Sequence, residues 1–480
     1  MRRPVANLQG MTVSPRSFWL EEALRIDPGV PCPPLADRIS ADVCVVGGGF
    51  AGLWTAYELS EREPSLDVVL LEADICGAGG SGANGGFFSC SWTDVVALCR
   101  FFGEPAGIRY ATALADEVAA LGTWCGRHGA DIAYHHEGFL HAQAGDWEAA
   151  PSEEALGLLD AHGLGSRLRR VDAAQARRVA DSPRFRGGVF TPDLATIQPA
   201  RLARALRRVL LERGVRIFEG TPMRGHEPGA RVLVTSPAGS VRADQLVLTT
   251  GAWGASQPAF RRAFAVAFDY MVVTEPIPDR LEAIGWTSHV GIADARENLY
   301  YLRKTEDGRV AIGGGAMGIA YGGCIRGRAA TSLRKAERAA EGLLWLFPQL
   351  EGIRFSHAWS GPMDVTASLL PFFATSPEGN VHAGLGFSGH GLTPTRVGGR
   401  TLASLVLRAD DAWSRMPVVG PPMSLLPPEP LRWPLLMVGS WALESGDRAE
   451  ERGRKRGRAR AFVGSRFEAY RSSRRPRGRA

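Results

Sequence analysis

Short apolar runs and a helical repeat alternate in the first part of the chain. Residues 43–46 (VCVV) form an unbroken apolar run, which is typical of a strand buried on both faces of a parallel sheet. From Phe50 onward, apolar residues recur at helical spacing, and a second apolar run follows at residues 66–74 (LDVVLLEAD). The pattern therefore predicts a strand–helix–strand unit with parallel strands.

Three consecutive glycines stand at the predicted turn between the first strand and the helix. The spacing Gly47-x-Gly49-x-x-Gly52 permits a tight turn, close approach of a pyrophosphate to the backbone, and close packing of helix on strand. Glu72 ends the second strand twenty positions after Gly52, where a carboxylate can bind ribose hydroxyls. The spacing favours a dinucleotide site over another ribose-bearing ligand, or over an ordinary unit with a tight turn and a chance acid.

Two further glycine-rich segments favour a flavin dinucleotide over a nicotinamide one. Residues 76–88 (CGAGGSGANGGFF) carry six glycines in thirteen positions, directly after the second strand. A flavin needs such bare backbone because its bulky ring extends past the pyrophosphate. Residues 384–407 (GLGFSGHGLTPTRVGGRTLASLVL) repeat the turn-then-helix arrangement, and the helix N-terminus there would stabilise negative charge on a reduced flavin.

The remaining pattern indicates that two domains are interleaved along the chain. Residues 199–253 return to helix and strand patterns of the first kind, whereas residues 263–362 are rich in β runs. We expect an α/β protein (α+β overall) in which a Rossmann-like FAD-binding domain is interleaved with an antiparallel-sheet substrate domain. The predicted segments are an N-terminal arm (1–40), the FAD-binding domain (41–100, 199–262 and 363–410), a mixed segment that is largely a helical cap of the substrate domain (101–198), the antiparallel substrate domain (263–362), and a C-terminal extension with a basic tail expected to be disordered (411–480).

The net charge of +6 arises in this tail. Residues 448–480 contain thirteen Arg or Lys against three Glu, so the rest of the chain is net negative. We therefore expect no specific nucleic-acid binding by the fold. The tail is expected to be solvated. The more specific alternative is a weak role in binding anionic lipid or nucleic acid.

The cysteines and the hydropathy exclude several other classes of protein. Seven cysteines without CxxC spacing predict neither a disulfide framework nor a zinc site, and no metal site is expected. No apolar run approaches the roughly 18–20 residues of a membrane-spanning helix. We expect a cytoplasmic protein without a transmembrane segment.

The motifs together resemble the FAD-dependent oxidoreductases of the D-amino-acid oxidase superfamily, within it the branch of γ-glutamylputrescine and aminophosphonate oxidoreductases. The segments that carry the likeness are ADVCVVGGGFAGLW, VVLLEAD, GSGANGG, TTGAW and GFSGHGLTPT, and it extends over about residues 17–451. The resemblance implies an FAD site formed by Gly47, Gly49, Ala51, Gly52, Glu72, Ala73, Gly80, Ser81, Gly82, Asn84, Gly85, Gly86, Met223, Thr250, Gly251, Trp253, Gly386, Ser388, Gly389, His390, Gly391, Leu392 and Thr393.

Three departures from the family pattern change what is expected. Ala83 stands where the family commonly has an arginine before the asparagine of the second glycine loop. Residues 361–373 (GPMDVTASLLPFF) contain no cysteine of the kind that tethers flavin in sarcosine-oxidase relatives, so we expect non-covalent FAD. Ala311 aligns with a lysine associated with oxygen reduction, which leaves the electron acceptor open between oxygen and another carrier.

The resemblance implies oxidation of a C–N bond in a small amine, amino acid or aminophosphonate. A hydride passes from the carbon to flavin N5, and the imine is hydrolysed to an aldehyde or keto product. Only the neutral amine can expel the hydride, and with a pKa of about 10.4 roughly one alkylamine in a thousand is neutral near neutral pH. A desolvating pocket lowers that pKa without a strong base.

Five residues are candidates for catalysis and substrate binding. Tyr270 and His390 are the catalytic candidates, and Tyr301 belongs to the predicted pocket. Arg296 and Arg303 are candidates for holding a carboxylate or phosphonate, since a guanidinium binds such groups bidentately. The alternatives are a hydroxy-acid or polyol-phosphate dehydrogenase on the same fold, or a flavin-binding subunit of a larger dehydrogenase.

Overall fold

The structure, a computed structural model, describes residue 8 and residues 10–145, 153–296 and 298–453. Helices in these ranges are α1 (Phe18–Ile26), α2 (Phe50–Arg62), α3 (Gly80–Ala83), α4 (Val95–Phe102), α5 (Glu104–His128), α6 (Glu153–Ala161), α7 (Ala173–Arg177), α8 (Pro199–Glu212), α9 (Pro278–Ala283), α10 (Leu333–Leu346), α11 (Leu392–Val406) and α12 (Arg432–Glu451). Strands are β1 (Arg38–Val46), β2 (Val68–Leu71), β3 (Phe87–Ser89), β4 (Phe139–Ala142), β5 (Arg169–Asp172), β6 (Gly187–Thr191), β7 (Leu194–Thr196), β8 (Arg216–Phe218), β9 (Gly225–Glu227), β10 (Val232–Thr235), β11 (Ser240–Leu248), β12 (Phe264–Thr274), β13 (Gly291–Asp294), β14 (Tyr300–Lys304), β15 (Val310–Gly314), β16 (Gly318–Ile319), β17 (Phe355–Thr366), β18 (Phe372–Thr375) and β19 (Val381–Leu385).

The first sheet has the strand order β18-β19-β11-β1-β2-β8, with β10 and β9 added beside β11. Strand β1 is parallel to both of its neighbours, with Val45 opposite Leu70 of β2 and Val247 of β11. Val43 and Val45 pack with the apolar residues of α2, α8 and α11, while Cys44 and Val46 belong to the core on the opposite face. Both faces are covered, which is why this strand is apolar without alternation.

The second sheet has the order β16-β12-β15-β14-β13-β4-β6-β5, with β17 paired to β12. Its pairs are antiparallel except β13 with β4. Strands of the first sheet come from residues 38–71, 216–248 and 372–385, and those of the second from residues 139–191 and 264–366, so the two sheets are interleaved along the chain. This architecture confirms the predicted fold class.

The outer segments lie on this two-sheet body. Helix α1 packs against α8 and α3, and α12 packs against β16. Most of the basic tail, residues 454–480, lies outside the described residues. In the ranges that the structure describes, no helix combines the length and apolar character needed to cross a bilayer.

A buried ion pair joins α11 to α5. The Nε of Arg396 donates to Oε2 of Glu117 at 2.5 Å, and Nη1 of Arg400 lies 3.2 Å from the other carboxylate oxygen. The Glu117 and Arg396 side chains are 3% and 5% exposed, so this pair lies away from water, while Arg400 is partly exposed and also pairs with Glu58. Removing one partner of such a cluster leaves buried charge without compensation.

We therefore predict that Glu117→Ala lowers the free energy of unfolding by about 3–5 kcal/mol, because Arg396 and Arg400 lose their shared carboxylate. Guanidinium unfolding followed by tryptophan fluorescence measures the change. Asp116→Ala, at the exposed neighbouring position, is the matched control and should change little. Equal unfolding midpoints for the two variants would contradict the prediction.

Candidate active site

A cavity of about 1390 Å³ lies where the two sheets meet. Three residues of the cavity wall directly follow strands of the first sheet: Gly47 follows β1, Glu72 follows β2, and Thr249 follows β11. The opposite wall comes from the second sheet, including Asp269 of β12 and Tyr301 of β14. Ligands of open α/β sheets bind at the carboxyl ends of their strands, which is the position of this cavity.

The first glycine turn brings the backbone of three segments into contact. Gly47 has a φ of +115°, and a Cβ there would lie 2.5 Å from the carbonyl oxygen of Thr249. A Cβ at Gly52 would lie 2.0 Å from the carbonyl oxygen of Gly47. Helix α2 starts directly after Gly49, which brings no capping side chain. The N–H of Phe50 donates to Oγ of Ser81 at 2.8 Å, and the next N–H groups of the first turn, which have no partner within the helix, can bind an anion.

Glu72 stands at the cavity wall and is held by two backbone N–H groups. Gly48 N donates to Oε2 at 2.6 Å, and Asp74 N donates to Oε1 at 2.8 Å. Burial raises the pKa of Glu72, while these two hydrogen bonds oppose the shift. Each oxygen keeps a lone pair that a hydroxyl group can use.

The second glycine loop presents bare backbone to the cavity. The side chain of Asn84 ties the loop together, because its Nδ2 donates to Ser81 O at 2.7 Å and its Oδ1 accepts from Gly86 N at 2.8 Å. A Cβ at Gly85 would lie 2.7 Å from Cε2 of Tyr301, and one at Gly80 would lie 2.9 Å from a backbone oxygen. Side chains at these two positions would occupy the wall of the cavity.

The third loop is shaped by a buried carboxylate that the sequence reasoning missed. Asp364 Oδ2 accepts a hydrogen bond from Gly386 N at 2.5 Å. Ser388 adopts a φ of +55°, and its Oγ accepts from Thr366 N at 3.1 Å. Helix α11 then begins after Gly391 without a capping side chain, so its N-terminus also faces the cavity with free N–H groups.

The structure brings most of the expected cofactor residues to the cavity. Those that line it are Gly47, Gly49, Ala51, Glu72, Ala73, Gly80, Ser81, Asn84, Gly85, Met223, Thr250, Gly251, Trp253, Ser388, Gly389, His390, Gly391 and Leu392. The expected residues outside the lining are Gly52, Gly82, Gly86, Gly386 and Thr393. Gly52 and Gly82 lie behind the wall, where a Cβ would meet the carbonyl oxygens of Gly47 and Gly77 at 2.0 and 2.2 Å.

Tyr270 and Arg303 do not reach the cavity. Tyr270 is fully buried, and its hydroxyl donates to the carbonyl oxygen of Ala329. Arg303 donates to the carbonyl oxygens of Ile197 and Gly86 behind the second glycine loop. Burial lowers the pKa of Arg303 to about 9. Neighbouring strand residues point to opposite faces, and Tyr270 takes the face away from Asp269. Arg303 shares the face of Tyr301 on β14, but its guanidinium is covered by the backbone of Gly86 and Ile197.

Arg296 lines the cavity, but its charge is already compensated. Its guanidinium forms ion pairs with Asp294 and with Glu451 of α12, the latter at 2.5 Å. It also lies over the ring of Tyr300, 4.5 Å from the centroid. Arg296 therefore connects the cavity wall to α12, and the expected free anion anchor is not present at this position.

Asp269 is the further residue that sequence reasoning missed. It lies in the apolar strand β12 (FAVAFDYMVVT), lines the cavity, and accepts a hydrogen bond from the hydroxyl of Tyr301. Its Oδ1 also accepts from Tyr270 N at 2.8 Å. Burial raises the pKa of Asp269, and these hydrogen bonds and the charge of His390 oppose that shift. The feature of the sequence that could have identified Asp269 is a single acidic residue inside an otherwise apolar strand.

Comparison with known proteins assigns the class to which this fold and cavity belong. A family model described as FAD dependent oxidoreductase (DAO) matches residues 42–405. The chain therefore belongs to the DAO family of FAD-dependent oxidoreductases, and the expected family and cofactor are confirmed.

Individual relatives support the same class. Gamma-glutamylputrescine oxidoreductase of Escherichia coli (strain K12) is 28% identical over 415 residues, which cover 85% of this chain and 93% of the relative. Sarcosine oxidase subunit beta of Rhizobium meliloti (strain 1021) is 24% identical over 382 residues, 76% of this chain and 84% of the relative. The solved L-amino acid deaminase from Proteus vulgaris has a TM-score of 0.64 at 17% identity, over 82% of this chain and 98% of that one, and so shares the fold.

The residues present fit FAD. Bare backbone at the glycine loops leaves room for a flat ring, and two helix N-termini without caps suit its anionic groups. The hydroxyls of Thr250 and Thr393, at the sheet end and at the start of α11, are buried and have no hydrogen-bond partner among the residues that the structure describes. Buried hydroxyls are normally paired, so these two are consistent with a bound partner.

We predict that Gly52→Ala weakens FAD binding by about tenfold or more, equivalent to ~1.4 kcal/mol, since the new Cβ displaces α2 from Gly47. The ratio of visible flavin absorbance to protein absorbance after purification, and titration of apoprotein with FAD, measure this. Gly225→Ala is the control, because that glycine also lines the cavity but has open space beside it. Equal FAD affinity in the two variants would be the contrary result.

Proposed function

We propose that the protein oxidises the C–N bond of a small cationic amine, and that Asp269 accepts the proton that the substrate must lose first. The observation that supports this most directly is a buried carboxylate in the cavity wall opposite the glycine loops. Tyr301 connects the two sides, because its hydroxyl donates to Asp269 while its ring lies against Gly85.

The physical argument rests on shielding from water. Burial disfavours the charged form of a carboxyl group and of an amine alike. It raises the pKa of Asp269 and lowers that of an ammonium group placed beside it. The proton therefore passes from the substrate to Asp269, which leaves the amine neutral and its lone pair free to support loss of hydride. Bound FAD supplies the hydride acceptor.

The charges around the cavity favour an amine without an acidic group on the reacting carbon. An amino acid or an aminophosphonate needs a cation that is free to bind its acid. Of the buried arginines, Arg296 is paired with Asp294 and Glu451, and Arg303 donates to backbone oxygens behind the wall. The other arginines in the lining, Arg224 and Arg326, are exposed to solvent. A hydroxy acid or a polyol phosphate meets the same difficulty, which sets this alternative below amine oxidation.

We also propose that FAD is held without a covalent bond. Cys90 lines the cavity, and burial raises the pKa of its thiol to about 12, so it stays protonated and weakly nucleophilic. Acid precipitation should then release the yellow colour to the supernatant. Colour retained by the washed pellet would contradict this proposal.

Anaerobic mixing with a substrate panel tests the proposed reaction. We expect alkylamines to bleach the flavin absorbance faster than amino acids, aminophosphonates, hydroxy acids or polyol phosphates, because the guanidinium groups of Arg296 and Arg303, the two buried arginines beside the cavity, already have protein partners. Fastest bleaching by a hydroxy acid would favour the dehydrogenase alternative, and no bleaching would favour a subunit of a larger enzyme. Recovery of colour with air or with an added quinone then identifies the electron acceptor.

We predict that Asp269→Asn slows flavin reduction by the best amine about 10²-fold near neutral pH, because an amide cannot accept the proton. Wild-type reduction should fall as the pH drops through the raised pKa of Asp269, where the carboxylate becomes protonated. In the variant, reduction should recover about tenfold per pH unit as free amine appears in solution.

Glu275→Gln is the matched control for this variant, since Glu275 follows the same strand and pairs with Arg354 at the surface. It should keep the wild-type rate and pH profile. A slow Asp269→Asn variant without recovery at high pH would indicate a purely structural role. Stopped-flow measurement of flavin bleaching across the pH range distinguishes these results.

A further inference from the structure

A second cavity, of about 730 Å³, is formed by α2, α5, α11 and the loop that follows α11. It shares no described lining residue with the cavity of the candidate active site. Thr395 lines the first cavity and Arg396 lines the second, so α11 lies between the two. Arginines and tryptophans stand out in the lining of the second cavity: Arg62, Arg127, Arg396, Arg400, Trp124 and Trp413.

Three nitrogen donors of the second cavity lack a hydrogen-bond acceptor among the residues that the structure describes. They are Nη1 of Arg396, Nε of Arg400 and Nε1 of Trp124. Arg396 and Trp124 are only 4% and 3% exposed. Buried donors are normally paired, because an unpaired one has lost its hydrogen bonds to water. A ligand with acceptor atoms would restore these bonds.

The guanidinium groups of Arg396 and Arg400 stand side by side, one turn apart on α11. Oε2 of Glu117 accepts from Nε of Arg396 at 2.5 Å, and Oε1 lies 3.2 Å from Nη1 of Arg400. Nε of Arg400 lies 3.4 Å from Oε1 of Glu58, close enough for an ion pair but without a hydrogen bond. Each guanidinium has five N–H donors, so the two groups can bind a further oxyanion.

The acids in the lining already have partners, which disfavours a cationic ligand. Glu58 and Asp411 pair with Arg62, at 3.2 and 3.6 Å. Glu61 pairs with Arg213. A cation bound in the second cavity would have to displace one of these arginines, whereas an anion can use donors that have no acceptor.

Aromatic and aliphatic side chains form much of the remaining wall. The ring of Trp413 lies 4.8 Å from Cζ of Arg400, so an apolar surface stands directly beside the cationic group. Trp124, Leu407 and Ala412 extend this apolar surface. Flat hydrocarbon groups pack well against such rings. An inorganic anion would leave this part of the wall uncovered.

We propose that the second cavity binds a small molecule in which a carboxylate is attached to an aromatic group. The carboxylate accepts hydrogen bonds from Arg396 and Arg400, since guanidinium geometry matches that of a carboxylate. The aromatic group packs against Trp413. This site lies apart from the one proposed for amine oxidation and does not depend on that reaction.

An NMR titration of the full-length holoenzyme with phenylacetate tests the proposal. We expect a Kd on the order of 1 mM or tighter for a ligand of this size. The visible flavin spectrum should stay unchanged, because the second cavity lies on the other side of α11 from the candidate active site. Phenylacetamide, which lacks the charge, and acetate, which lacks the ring, should each bind about tenfold more weakly.

Two variants test the location of the site. Arg400→Gln removes one guanidinium and should raise the Kd for phenylacetate about tenfold. Ala120→Phe fills part of the second cavity without removing a donor and should weaken binding to a similar extent. Arg415→Gln is the matched control, because it makes the same change of charge on the exposed loop after α11, outside the lining. Its Kd should equal that of the wild type.

Flavin content and melting temperature establish that each variant is folded, and Ala120→Phe keeps the test decisive if Arg400→Gln is not. No binding of phenylacetate by the wild type, or equal affinity in the wild type and Ala120→Phe, would overturn the proposal. Equal binding of phenylacetate and phenylacetamide would overturn the role of the arginines. A shift of the flavin spectrum on binding, unchanged in both variants, would place phenylacetate in the first cavity and overturn the proposal as well.

Discussion

Contact of backbone with backbone at the carboxyl ends of β1 and β11 is the constraint on which the structure depends. Gly47 and Gly52 allow α2 to start against the strand ends, with no side chain between helix and sheet. The second glycine loop also lacks side chains, and its Gly80 and Gly85 form part of the cavity wall. A large planar cofactor bound here would meet a wall made mostly of peptide groups, whose dipoles and N–H donors are held in place by the surrounding sheets.

Buried carboxylates then give this wall its shape and its chemistry. Glu72 and Asp364 both accept backbone N–H groups of glycine turns, so each fixes a loop while facing the cavity. Asp269 differs, because it accepts from the Tyr301 hydroxyl and stands on the wall opposite the loops. Burial raises the pKa of all three groups, and Asp269 is the one to which we assign the proton exchange with an incoming amine.

Helix α12 connects the cavity to the outer surface of the protein. Arg296 lines the cavity and pairs with Glu451 near the end of the helix, while the opposite side of α12 carries exposed apolar residues. Arg296, whose residue type suggests anion binding, thus joins the cavity wall to α12. The position of the net positive charge matters in the same way as the position of Arg296. This charge is concentrated after α12 and not around the cavity.

The sequence by itself determined the local features: the turn at Gly47, the acid at Glu72, the two further glycine loops, and with them the fold class and the cofactor. These follow from short-range spacing, because a strand, a turn and a helix are set by neighbouring residues. The tertiary structure alone decided which face of β12 enters the cavity, so that Asp269 lines it and Tyr270 does not. It also decided that Arg296 is neutralised by Glu451, 155 positions away. Side-chain direction and compensation of charge depend on long-range packing, which residue type and spacing do not specify.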